Sequence, residues 1–159
     1  MNTDRRQTLR RLQRTVFFAG LAAVAVAEPV QAFSFFHQAV HKPAAREFGF
    51  GPRESSGQLY TVYMRPTEVL TLRKLQTVRV LVLDAMGRPV ENASIAVDGG
   101  MPEHGHGLPT QPQVRRSLGG GMYDIEGLRF SMWGWWELEL SIETPAGSDR
   151  VTFNLDLGR

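Results

Sequence analysis

From Leu59 to Leu157 the apolar residues recur every second position, and this rhythm limits what the chain can become. The run Trp135–Glu143 sets Trp136, Leu138, Leu140 and Ile142 on one face and Glu137, Glu139, Ser141 and Glu143 on the other. That is a strand with one face in a core and one in water. Val151–Leu157 repeats the pattern with Val151, Phe153, Leu155 and Leu157 inward, and Thr77–Asp84 alternates with β-branched residues. Leu59–Met64, Glu68–Leu72, Ala93–Val97, Val114–Leu118 and Met122–Ile125 are the further expected strands, the last with Tyr123 and Ile125 inward. Turns fall at Ala85–Pro89, Gly119–Gly121 and Pro145–Gly147. Seven or eight short strands without an amphipathic helix predict an all-β fold, an immunoglobulin-like β-sandwich.

The sequence has no cysteine, so the core alone must hold this sandwich, and thiolate ligands and nucleophiles are excluded. Ahead of it, Arg5, Arg6, Arg10, Arg11 and Arg14 precede the apolar run Thr15–Ala27, and Val30-Gln31-Ala32 reads as a cleavage site. The segment 1–32 is therefore expected to be a signal peptide for export to the periplasm, with an uncleaved membrane anchor as the rival. Residues 33–57 carry Pro43, Gly49, Gly51, Pro52 and Gly57 and no period, and read as a linker to a domain over 58–159. The 18 basic residues outnumber the 16 acidic ones only because the leader holds five arginines and two acids. The remainder is nearly neutral, without the basic stripe of a nucleic-acid binder.

The chemistry concentrates in Gly99–Pro109, where His104 and His106 stand two apart, Met101 precedes them, and Pro102 and Pro109 stiffen the ends. If this loop is extended, both imidazoles share a side. Imidazole suits copper, zinc and nickel, and thioether sulfur selects Cu(I). Met132, in Phe130–Trp136, would complete a His₂Met or His₂Met₂ set, with Trp133 or Trp135 capping the ion by its π face. Glu103 is expected as an outer acceptor orienting a histidine or as a solvated loop acid. Trp136 shares the parity of Leu138 and reads as core. His37 and His41 lie in the expected linker, where Pro43 and the glycines break a shared helical face. No serine-hydrolase elbow, phosphate loop or zinc-protease motif is present, so no enzymatic role is expected.

Three stretches together resemble the FixH/YtkA-like group of exported domains. They are Asp84–Val90 with Ala93 and Val97, then Gly99–Thr110, then Gly121–Tyr123 with Phe130–Trp136. The resemblance spans roughly residues 58–157. It implies an immunoglobulin-like domain outside the cytoplasmic membrane and a link to copper handling, because FixH-type proteins are associated with assembly of copper-containing respiratory oxidases. Carried over by position, it implies Met101, His104, His106 and Met132 as ligands. FixH proteins are membrane-anchored, whereas this leader looks cleavable. The expected function is a periplasmic Cu(I) carrier or chaperone exchanging metal with a copper donor or acceptor protein; zinc or nickel is the alternative metal. A non-catalytic interaction module of the cell envelope is the other reading, since exposed tryptophans suit protein interfaces.

Overall fold

The computed structural model describes residues 40–158. The expected leader over 1–32 and His37 lie outside the described residues. Nine strands form: β1 Arg53–Glu54, β2 Tyr60–Pro66, β3 Gln76–Asp84, β4 Ser94–Met101, β5 His106–Gly107, β6 Gln113–Gly119, β7 Met122–Leu128, β8 Gly134–Thr144 and β9 Gly147–Leu157. The strand pairs are antiparallel, in the order β1-β2-β3-β7-β6-β4-β8-β9, with β5 added to β4. The described residues contain no α-helix, only single 3₁₀ turns at Ala45–Glu47 and Pro102–His104.

β6 and β4 meet at one bridge, Ala96 to Gln113. The sheet therefore folds over there into a sandwich that comes close to a barrel. Val62, Val80, Val82, Ile125, Leu138, Leu140, Ile142 and Phe153 fill the interior. Trp136 lies among them, edge-on to Phe130 at 5.2 Å between ring centroids. The expected all-β sandwich is the observed architecture, with its alternating faces on β8 and β9.

Two stretches differ from expectation. Glu68–Leu72 is a loop, because the buried Gln76 side chain satisfies its backbone. Gln76 Oε1 accepts from Thr71 N–H and Gln76 Nε2 donates to Thr71 O at 2.9 Å. A backbone tied to a side chain has no need of a strand partner. The described part of the expected linker is a strap across the seam between β2 and β9. Gly49 N–H donates to Asn154 O, Met64 N–H to Phe50 O, and Ser56 N–H to Arg150 O, each at 2.8 Å. Asp149 anchors its far end, accepting from Ser55 Oγ at 2.6 Å and from the N–H groups of Gly57 and Leu59. The Ser55 hydroxyl first, then the amides of Gly57, Arg150 and Leu59, hold the Asp149 carboxyl down at about 2. These are backbone and single-residue contacts, which leave no period in the sequence.

Candidate functional site

The two histidines meet through a tight hairpin, where an extended loop was expected. Pro102 opens the turn, His104 ends it, and Gly105 follows at φ 64°, ψ 25°, a left-handed position that costs a residue with a Cβ roughly 1–2 kcal/mol. β5 then returns along β4, pairing His106 with Met101 and Gly107 with Gly100. A Cβ on Gly99 would overlap the Glu137 carbonyl oxygen, and one on Gly100 the His106 carbonyl oxygen. The glycine pair thus lets β4 lie close between β8 and β5, and Leu108 N–H closes the hairpin on Gly99 O at 2.9 Å. The left-handed turn brings the rings together, doing what strand alternation was expected to do.

The imidazoles of His104 and His106 lie 6.1 Å apart between centroids, with their planes 11° from parallel. Both residues and Glu103 are exposed. Ion–nitrogen bonds of about 2.0–2.1 Å on opposite sides of an ion set two imidazole centroids roughly 6 Å apart. The centroid spacing is that of rings sharing an ion, but the rings are stacked and nitrogen lone pairs lie in the ring planes, so one ring has to turn for both nitrogens to meet an ion.

The second segment arrives at the same end. The Pro102–His104 turn packs on β8, and Trp136 Nε1–H donates to Met132 O at 3.1 Å, fixing the backbone ahead of β8. Met132 is 39% exposed and Trp133 45%. Met101 differs from the open donor that its loop position predicted: it is 1% exposed and part of the core. Its methyl lies 3.0 Å from where a Cβ on Gly134 would stand, so it fills the space that this glycine leaves. Trp135 differs too. Phe48 covers it edge-on at 6.3 Å, and its indole N–H donates to Asn154 Oδ1 at 2.9 Å. A ring sealed under the strap is no cap for an ion in the hairpin. Trp133 is the exposed indole of this segment, and His41 lies exposed in the stretch before the strap.

Alternation alone put Glu137 and Glu139 in open water. The structure makes them a wall of a cleft of about 470 Å³ that also meets Asp98, Gly105 and His106. Burial first, then the neighbouring Glu139, raises the Glu137 carboxyl above its usual range. On the β4 side the register leaves only glycine, at Gly100, opposite Glu137 and sets Asp98 beside Glu139; on the β9 side Asn154 stands opposite Glu137. The signal that would have found the cleft is Gly100 facing Glu137, with Asp98 facing Glu139 next to it. Among the described residues no three His, Cys, Asp or Glu side chains converge into a metal cage. Met132 is an exposed thioether on the segment ahead of β8.

No curated protein and no solved structure matches the chain. The model of the YtkA-like family matches residues 58–141, a span from just before β2 into β8 that includes the hairpin and the Met132 segment. The chain belongs to the YtkA-like family.

Proposed function

We propose that this protein binds Cu(I) through His104, His106 and Met132 and serves as a non-enzymatic copper carrier or chaperone in the periplasm. The observation that carries the reading is the exposed imidazole pair, 6.1 Å apart on a hairpin closed by backbone bonds. Two imidazoles and a thioether suit Cu(I), and the absence of cysteine excludes a thiolate blue-copper centre. Rigid backbone around the ligands lowers the entropy cost of binding. Exposure of all three residues suits metal exchange with a donor or acceptor protein by ligand substitution. The carboxylates of Asp98, Glu137 and Glu139 favour a cation near His106. Met101 is not needed as a ligand in this reading, which narrows the four-residue set implied by the resemblance to three. Zinc remains the alternative metal, since the imidazoles serve both.

The test is competition with a Cu(I) chelator. H104A/H106A is expected to abolish tight binding and leave the fold intact; an unchanged affinity refutes the assignment. A second reading, a non-catalytic interaction module of the envelope, draws on the exposed indole of Trp133. Metal-free protein after growth in copper-supplied medium would favour it.

A further inference from the structure

Four large apolar side chains project from two loops at the end of the sandwich that carries the hairpin. Val69 is 84% exposed and Leu75 61%, both between β2 and β3; Met132 and Trp133 lie between β7 and β8. The two loops are bonded to each other, Arg73 N–H donating to Phe130 O at 2.7 Å. Exposed aliphatic tips have no packing role in the domain that bears them, and such groups mark an interaction site. Arg73 and Lys74 stand on the same loop as Val69 and Leu75, Arg129 precedes Phe130, and the acids nearby are Glu68, paired with Lys74 at 2.8 Å, Glu103, and Asp156 opposite Trp135. Exposed Arg65 at the end of β2 is a fourth cation, so cations outnumber acids there by one.

A separate observation concerns where the chain comes in. The strap runs from Phe48, against Trp135 and Asn154 at the start of β8, to Ser56, beside Arg150 farther along. The Lys42 ammonium lies 5.7 Å from the centroid of the Phe48 ring. The described chain therefore enters the domain at the end that bears the exposed tips.

We propose that this end rests on an anionic lipid bilayer, with Val69, Leu75, Met132 and Trp133 reaching the interface and Arg73, Lys74 and Arg129 facing lipid phosphates. Indole rings favour the headgroup level, and basic residues gain there from anionic lipid. Each tip is a projecting side chain, which suits a soft surface better than a rigid protein face. The proposal shares Met132 with the copper reading and stands without it on Val69, Leu75 and Trp133.

The full chain, reconstituted into vesicles of phosphatidylethanolamine and phosphatidylglycerol, tests it when the acyl chains are either plain or brominated. Bromine quenches indole on contact, and Trp135 and Trp136 are buried at 1% and 0% exposure, so the readout is Trp133. Emission is expected to be dimmer on brominated than on plain vesicles, with that difference absent in W133F and reduced in V69E/L75E. Near-UV circular dichroism checks that both variants fold. H104A/H106A should dim as wild type does, which separates this outcome from failure of the copper reading. Equal emission on the two vesicle types, or dimming that persists in W133F, overturns the proposal. So does shielding of Trp133 from acrylamide by an added soluble protein but not by lipid, which assigns the face to a protein partner.

Discussion

Replacing Met101 separates its two readings, as a core residue and as a copper ligand. The side chain is 1% exposed, belongs to the core around Trp136 and Leu138, and ends against the space above Gly134. Truncating a buried Met to Ala costs about 2–5 kcal/mol through lost transfer energy and the cavity left behind. A volume-conserving exchange to Leu costs less than about 1.5 kcal/mol. We expect M101A near 3 kcal/mol, because the backbone around the site is held by β8 on one side and β5 on the other and has little room to collapse. With a urea slope of about 2 kcal/mol/M, the unfolding midpoint should fall by about 1.5 M, and by less than about 0.8 M for M101L. M101L removes the sulfur but keeps the volume, so chelator competition on it isolates ligation. Its Cu(I) affinity should match wild type. A loss of about tenfold or more in M101L, or an M101A cost below about 1 kcal/mol, would show that Met101 serves the ion and not the core.

Two further outcomes follow from the strap. F48A should cost about 2 kcal/mol and shift tryptophan emission to the red as water reaches Trp135; an unshifted spectrum would mean that Phe48 does not cover it. Asp149 is held at about 2, below its ordinary value, so its contribution is complete above about pH 4 and fades as pH falls toward 2. Urea midpoints of wild type and D149N should therefore differ at neutral pH and converge across that acid window; a constant difference would remove Asp149 as the cause.

The strands that face one core were legible. Thr77–Asp84, Trp135–Glu143 and Val151–Leu157 fall within β3, β8 and β9, because alternation records burial on one side. Trp135 was illegible for the same reason. It sits on the outer face, and its cover is Phe48, a residue distant in sequence that alternation does not register. The Gln76 amide, which turns Glu68–Leu72 into a loop, is equally invisible to a pattern of apolar residues. At the site, His104 and His106 come near one another by way of a left-handed Gly105 in place of the extended chain that their two-residue spacing suggested. Met101 was misjudged because a Gly/Pro-rich neighbourhood looks like open loop. In fact β4 continues through Gly99-Gly100 to Met101 and carries its side chain inside. The cleft depends on the missing Cβ of Gly100 across the sheet from Glu137, a cross-strand property that no single strand displays.

The Ser55–Asp149 contact links residues 94 positions apart, and it sets an order of events. β9 leaves the ribosome well after the strap, which until then can pair only with β2. Closing so long a loop is slow compared with forming hairpins such as β8–β9. The seam between β2 and β9 therefore shuts only after β9 has been made, so the two long edges it joins stay unpaired with each other until late in synthesis.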